Sequence, residues 1–168
     1  MEVKLFYGSS TGNTAKCAKK IADQLGGVVS EVIDIRKATV DDFDFTDGYI
    51  IGLSTVDKGL LQEDWRRFWD NMDDIDFEGK TVAIFGLGDQ VKYPEWFVDA
   101  IGIVYDKVVE LGAKVVGEWP NVGYTFVKSA ALRDGKFVGL PLDEDTQANL
   151  TDDRIKAWCE QIRPAFSD

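Results

Sequence analysis

The N-terminal segment, residues 3–22, most constrains the fold, because it predicts a buried strand, a short polar loop and a helix in direct succession. Val3–Tyr7 is mostly apolar and aromatic, which is typical of a buried strand. Residues 15–22 have the pattern of a helix, and a loop of small hydroxyl residues lies between the two. Free backbone N–H groups and the positive end of the helix dipole would face this loop, so the segment predicts an anion site.

The loop contains no charged residue, which limits the kind of phosphate it can hold. Only three residues separate Gly8 from Gly12, and Asn13 stands where a P-loop has the lysine that holds a transferring phosphate. The GxGxxG pattern of a Rossmann unit is also absent. We expect a phosphate that is held and not transferred, as in a phosphorylated cofactor. An ordinary strand–helix turn with a Ser or Thr cap is the alternative.

Composition excludes several classes of function. The 168 residues suffice for a single domain over 1–168 with a hydrophobic core. No apolar run is long enough to span a membrane, and there is no signal-peptide pattern. No histidine occurs, so Ser-His and Cys-His catalysis are excluded. Cys17 and Cys159 lie far apart on predicted helices, where we expect them to face the core. We therefore expect a reduced, cytoplasmic protein without a structural metal.

The net charge of −11 argues against nucleic acid as a partner, because phosphates would be repelled. Acidic residues cluster at 62–78 and again at 143–153. Such clusters attract basic protein partners electrostatically and orient their approach, although a solvated helix or loop face is the simpler interpretation of any single acidic residue. We expect a monomer with basic redox partner proteins and no membrane insertion.

Strand and helix patterns alternate along the chain. Further strands are predicted at residues 28–34, 49–54, 81–86 and 113–117, with strand pattern again at 137–140. Further helices are predicted from about residue 62, over 97–111, and from Thr151 as N-cap of the last one. Repeated β-α units with right-handed crossovers predict a parallel sheet covered on both faces.

Three loops with unusual residues leave one edge of this predicted sheet. They span residues 9–14, 54–59 and 86–94. In an open parallel sheet the ligand lies beyond the C-terminal strand ends, at the point where strand order reverses. The three loops therefore indicate one common binding site.

Several segments carry a specific resemblance to a known family. They are the loop at 9–14, Gly-Leu-Gly-Asp-Gln with a tyrosine at 86–93, Trp-Pro-Asn-Val-Gly-Tyr-Thr-Phe at 119–126, and the segments 137–147 and 150–155. On these segments the chain resembles a long-chain flavodoxin over essentially its whole length. The resemblance implies an α/β, flavodoxin-like doubly wound five-stranded parallel sheet of order 2-1-3-4-5, with strand five interrupted by about twenty residues.

The resemblance also implies one non-covalent FMN at the switch point. The phosphate would be held by Ser9, Ser10, Thr11, Gly12, Asn13 and Thr14. The inner flavin face would be covered by the second loop, namely Ser54, Thr55, Val56, Asp57, Lys58 and Gly59. The outer face and pyrimidine edge would meet Leu87, Gly88, Asp89 and Tyr93, with Tyr93 stacked on the ring. Trp96, Phe97 and Val98 are expected near that edge, and Asp145 near the ribityl chain.

One position departs from the commonest pattern of the family. Many long-chain flavodoxins place a tryptophan against the inner flavin face, where this chain has Val56. An aliphatic side chain can still cover the ring, with one stacking partner fewer. Lys58 adds a cation that favours the fully reduced, anionic flavin, and Gly59 is expected to leave the loop mobile.

The implied function is that of a low-potential one-electron carrier, not an enzyme, working through FMN between a reductase or photosystem and redox enzymes. Nearby acids penalise electron uptake and lower the potential. The alternative is an FMN-dependent NAD(P)H:quinone reductase of the same fold, although no nicotinamide motif is visible. A receiver domain would need paired acids after strand one, where Tyr7, Gly8 and Ser9 stand.

Residues 119–137 interrupt the alternation and allow two interpretations. The segment 119–126 is either a flap that docks a partner or a lid that buries Trp119 and Phe126. We prefer the lid, because several aromatic side chains in a loop of this size need burial.

Overall fold

The computed structural model describes residues 1–167 and shows alternating strands and helices. The strands are β1 (Val3–Tyr7), β2 (Glu31–Asp34), β3 (Gly48–Val56), β4 (Leu60–Leu61), β5 (Thr81–Leu87), β6 (Lys114–Val116), β7 (Trp119–Pro120), β8 (Leu132–Arg133), β9 (Lys136–Phe137) and β10 (Leu140–Leu142). The helices are α1 (Asn13–Leu25), α2 (Glu63–Phe68), α3 (Asp99–Glu110) and α4 (Thr151–Ile162). None of the helices within this range is long and apolar enough to cross a membrane.

The main sheet is parallel, apart from the short β4, and confirms the predicted strand order. β2, β1, β3 and β5 lie side by side in that order. The fifth position is shared by two strands, since β6 pairs with the first half of β5 and β10 with its second half. The chain between β6 and β10 leaves the sheet, which agrees in part with the interruption of strand five that the family resemblance implies.

Two apolar cores cover the two faces of this sheet. One face packs against α2 and α3, with Trp65, Ile84 and Val104 fully buried. The other face packs against α1 and α4, with Cys17 and Trp158 fully buried. Burial on both faces explains why β3 and β5 are almost continuously apolar.

The interrupting segment forms a small antiparallel sheet of order β7-β9-β8. It packs on the α3 side through a cluster of aromatic rings, in which Phe97 stacks on Phe126 at 5.3 Å and Tyr124 meets Phe137 edge-on at 5.2 Å. Trp119 and Phe126 are partly buried against the apolar cores. These contacts are those of a lid on the core, in agreement with the preferred interpretation.

Two predicted elements are shorter than their sequence patterns indicated. Strand two begins only at Glu31, because the turn that starts at Gly26 and Gly27 continues through Val28. The second helix tightens to a 3-10 helix over Trp69–Asp74. Aspartates there are poor helix formers and lie at the negative end of the helix dipole.

Two other predictions were wrong in detail. Thr151 is the first residue of α4 and not its N-cap, because its hydroxyl donates to the Glu144 carboxylate at 2.8 Å. The predicted strand at 137–140 belongs to two sheets. Phe137 pairs with Trp119 in the small sheet, whereas Leu140 pairs with Phe85 in the main one.

Candidate functional site

The loop between β1 and α1 is held open by its own side chains. Ser9 Oγ accepts hydrogen bonds from the amides of Gly12 at 3.1 Å and Ala15 at 3.3 Å. Gly12 precedes the helix with φ of 94°, a conformation that favours glycine. The amides of Asn13 and Thr14 lie in the first turn of α1, where N–H groups have no partner within the helix. This geometry leaves donors for an anion, as the sequence predicts.

A buried residue at the start of α2 supports this loop. Gln62 is buried and donates from Nε2 to Ser10 Oγ at 3.1 Å. Its Oε1 accepts from the amides of Asp64 and Trp65, so the same side chain caps α2. The Gln62 side chain therefore links the loop between β1 and α1 to the start of α2. Gln62 was not among the predicted site residues, because residues 10 and 62 are remote along the chain.

The second predicted loop is shorter than expected. β3 continues through Thr55 and Val56, which pair antiparallel with Leu61 and Leu60 of β4, so only residues 57–59 form the turn. Asp57 has φ of 48° and Gly59 has φ of 83°. The turn is thus a tight hairpin and not an extended loop, while its expected mobility stays a prediction.

The hairpin is packed against the segment that precedes α3. A Cβ on Gly59 would lie 2.8 Å from Asp99 Oδ2 and 3.2 Å from the Trp96 ring, and the Lys58 ammonium lies 5.9 Å from the centre of that ring. Thr55 Oγ1 also accepts from the amide of Ala100 at 2.9 Å. The hairpin is therefore fixed to the start of α3.

The third loop turns around Asp89. Asp89 Oδ1 accepts from the amides of Val91 at 3.0 Å and Lys92 at 2.8 Å, and its carbonyl accepts from the amide of Tyr93 at 2.9 Å. Tyr93 is half-buried, with the Lys92 ammonium 5.5 Å from its ring centre. The loop presents one flat aromatic side chain beside a carboxylate.

These elements enclose a cavity of about 200 Å³ at the C-terminal edge of the sheet. The predicted residues that line it are Thr11, Asn13, Thr14, Ser54, Thr55, Leu87, Gly88, Asp89, Tyr93 and Asp145. All three predicted loops contribute, which agrees with their expected convergence.

Other predicted residues lie beside the cavity without lining it. They are Ser9, Ser10, Gly12, Val56, Asp57, Lys58, Gly59, Trp96, Phe97 and Val98. The side chains of Phe97 and Val98 are buried in the α3-side core, so only their main chain can face a ligand. Trp96 is half-buried against the hairpin.

Two lining residues, Lys92 and Glu144, were not among the predicted site residues. Glu144 forms an ion pair with Lys16 of α1 at 2.8 Å, and only 5% of its side chain is exposed. The acidic run at 143–145 signalled a charged segment, but the sequence could not show which carboxylate faces inward.

The cavity is electrostatically negative at one end. Burial tends to raise the pKa of Glu144, but the Lys16 ammonium and the Thr151 hydroxyl outweigh it and hold that pKa below its usual value. Burial, together with Asp89, Asp143 and Glu144, raises the pKa of Asp145. Glu144 therefore stays ionised beside the cavity, and the carboxylates around it repel added negative charge.

Comparison with known proteins gives one consistent result. The family model for flavodoxin matches residues 5–158. A flavodoxin of Synechocystis sp. is 50% identical over 164 residues, which cover 97% of this chain and 96% of that protein. Flavodoxin 2 of Escherichia coli is 46% identical over 164 residues, or 96% and 95% of the two chains.

A solved structure supports the same family assignment. The crystal structure of Fusobacterium nucleatum flavodoxin bound to flavin mononucleotide superposes with a TM-score of 0.93 at 31% identity, covering 99% of each chain. The strand order, the position of the cavity and the sequence matches over nearly all of the chain lead to one assignment: this chain belongs to the flavodoxin family.

Proposed function

We propose that this chain binds one FMN non-covalently and carries electrons between redox partner proteins. The observation that carries the proposal is the convergence of an uncharged helix-N-terminal loop and an aromatic loop on one cavity at the switch point of the sheet. The family assignment supports it, and the neighbouring Fusobacterium nucleatum flavodoxin is bound to flavin mononucleotide. We treat residues 1–168 as one FMN-binding domain.

The chemistry of the donor set fits FMN. The amides of Asn13 and Thr14 and the hydroxyls around them suit a phosphate that is held in place, since hydroxyl and amide donors bind phosphate oxygens without a lysine. Tyr93 offers a flat apolar face to the isoalloxazine ring and a hydroxyl to water. When bound, FMN supplies the redox chemistry, and the protein tunes it.

The remaining predicted residues surround this core of the site. We propose that the hairpin with Val56, Asp57, Lys58 and Gly59 covers the inner face of the ring, and that Trp96 lies at its edge. Phe97 and Val98 would contribute through main-chain groups only, because their side chains are buried. Asp145 lies at the acidic end, near the expected ribityl chain.

The negative charge at the cavity is expected to set a low potential for the second electron. Asp89, Glu144 and Asp145 line the cavity together. Adding negative charge to the flavin beside them costs free energy, so full reduction is disfavoured relative to a neutral site.

The test is a visible spectrum of the purified protein with added FMN, followed through stepwise anaerobic reduction. We expect a bound-flavin spectrum and two resolved one-electron steps, the second at low potential. A single two-electron step, together with sustained NAD(P)H oxidation by the chain alone, would favour the quinone reductase instead. Absence of flavin binding would refute the proposed cofactor.

We also propose that the redox partners are basic and that the chain is a cytoplasmic monomer. The net charge of −11 supports a basic partner, and the two free cysteines are buried, where burial raises the pKa of each thiol to about 12. The partner proposal predicts that electron-transfer rates with a basic reductase fall as salt rises, because screening removes the attraction. A rate that is independent of ionic strength would contradict it, and sedimentation tests the monomer.

A further inference from the structure

The hairpin between β3 and β4 carries a lysine that stays outside the cavity. Lys58 is the middle residue of the turn 57–59 and is exposed. It does not line the cavity, although Ser54 and Thr55 of the same hairpin do. Among the described residues, no aspartate or glutamate lies at ion-pair distance from its ammonium. A carboxylate therefore does not decide where this cation lies.

The ammonium lies instead over the face of an aromatic ring. Lys58 Nζ is 5.9 Å from the centre of the Trp96 ring. At such a distance a cation is attracted by the negative face of the ring, and tryptophan attracts it more strongly than tyrosine or phenylalanine. Trp96 does not line the cavity either. The cation and the ring that attracts it thus both lie beside the cavity and outside its lining.

The Trp96 ring is itself held against the backbone of the turn. A Cβ on Gly59 would lie 3.2 Å from Trp96 Cδ1, so the absence of a side chain lets the ring approach the backbone. The Trp96 amide donates to the Tyr93 carbonyl at 3.3 Å, and the Trp96 carbonyl accepts from the Asp99 amide at 3.2 Å. The ring is therefore a fixed support, whereas the ammonium of Lys58 is carried on a flexible four-carbon stem.

We propose that Trp96 is a positioning residue for the cation of Lys58: its ring holds the ammonium outside the cavity lining and so limits the positive charge that the hairpin brings to the ligand. The inference rests on the proposed FMN site. The interaction of two charges falls with their distance, so a cation held outside the lining favours added negative charge on the ligand less than a cation at the wall. The lining carboxylates Asp89, Glu144 and Asp145 then keep most of their effect.

A small set of variants separates the ring from the cation. Trp96→Leu removes the aromatic face and keeps an apolar side chain beside Gly59, whereas Trp96→Phe keeps a smaller aromatic face. Lys58→Gln removes the cation, and the double variant Trp96→Leu with Lys58→Gln tests whether the ring acts through the lysine. Trp69→Leu is the matched control, because the Lys107 ammonium lies over the Trp69 ring at the same distance of 5.9 Å and neither residue lines the cavity.

The first measurement uses the apoprotein and needs no flavin. Protons that lie over the face of an aromatic ring are shifted upfield by its ring current, so the Hε resonances of Lys58 report whether the contact exists. We expect these resonances to lie upfield in the unmodified chain and in Trp69→Leu, to move downfield in Trp96→Leu, and to take an intermediate position in Trp96→Phe. Equal Hε shifts in the unmodified chain and in Trp96→Leu would overturn the proposal.

The second measurement compares the dissociation constants for oxidised FMN and for FMN reduced with dithionite, at low salt. In Trp96→Leu the released ammonium can approach the cavity. We expect the ratio of the two constants to shift about twofold in favour of reduced FMN, the order expected for one unit charge about 10 Å away in a water-like dielectric. The shift should be smaller at high salt, because ions screen the charge. It should be absent in Trp69→Leu.

The double variant decides whether the ring acts through the lysine. Its ratio should equal that of Lys58→Gln, because without the cation the ring has nothing to hold. A shift that persists in the double variant would overturn the proposal, and so would the absence of any shift in Trp96→Leu. Should Trp96→Leu fail to fold, Trp96→Phe replaces it, with smaller effects in the same directions. If the unmodified chain binds no FMN, the proposed function fails, while the Hε shifts still decide whether Trp96 positions the cation.

Discussion

Replacing Glu144 by glutamine tests the electrostatics of the cavity most directly. The side chain lines the cavity beside Thr11, Asn13 and Thr14, where we place the FMN phosphate. Glutamine keeps the shape and can still accept from the Thr151 hydroxyl, but it removes one negative charge and releases the Lys16 ammonium. Both changes favour an incoming phosphate, so FMN should bind more tightly.

The magnitude follows from the size of the cavity. A volume of about 200 Å³ corresponds to about 7 Å across, and two unit charges at that distance interact with about 0.6 kcal/mol in a water-like dielectric. A phosphate with two charges therefore gains about 1 kcal/mol, or about fivefold in the dissociation constant. The cost in stability should stay below about 1 kcal/mol, because Lys16 is half-exposed and water can solvate it again.

The assay is a fluorescence titration of the apoprotein with FMN and, separately, with riboflavin, at low and at high salt. We expect the fivefold gain for FMN at low salt, a smaller gain at 0.3 M salt, and no change for riboflavin, which has no phosphate. Weaker FMN binding, or an equal change for both flavins, would refute the reasoning. Glu160→Gln, an exposed substitution that removes the same charge and does not line the cavity, is the control for a general charge effect.

Three further outcomes are expected. Tyr93→Ser removes the stacking face and should weaken FMN and riboflavin alike by about tenfold in fluorescence titrations, since such contacts contribute about 1 kcal/mol beyond burial; unchanged affinity would remove Tyr93 from the site. Asp145→Asn should raise the midpoint of thermal unfolding at pH 7, because burial and acidic neighbours raise the pKa of Asp145 and so disfavour its charged form in the folded state. That gain should vanish at pH values below the unfolded pKa of about 3.9, where both states are protonated, and a gain that persists there would contradict the assignment. Phe137→Ala should lower the free energy of unfolding in urea by about 3 to 5 kcal/mol, because the fully buried ring holds the insertion on the core. A decrease under about 1 kcal/mol would contradict this role, since it would mean that neighbouring side chains fill the space left by the ring.

Much of the site could be predicted from the sequence because its signals are local. The run from Val3 to Thr14 encodes a buried strand, an uncharged loop and a helix start within a few residues of each other. The loop 86–94 was singled out in the same way, by its unusual residues after an apolar strand, whereas the roles of Asp89 and Tyr93 came from the family resemblance. Parallel β-α units then bring such loops to one sheet edge, whatever their distance along the chain.

Other features depend on contacts that leave no local signal. β3 extends to Val56 because β4 folds back and pairs with it, so that the predicted loop over 54–59 is reduced to a turn of residues 57–59. Thr151 was predicted as a cap from its type, but a carboxylate seven positions earlier engages its hydroxyl instead. Local propensity is a weak preference of a few tenths of a kcal/mol, so one tertiary hydrogen bond outweighs it.

The sequence by itself determined the order of the elements, the fold family and the three loops that meet at the cavity. Periodicity, glycine positions and the handedness of β-α-β crossovers act over short stretches and are written in the residues themselves. Only the tertiary structure decided that Glu144 faces the cavity and that Asp143 meets Gln90 across fifty-three positions of chain. The packing of remote segments decides which polar groups become buried and which donors bond to them. Such donors are required because a buried charge without a partner costs too much free energy.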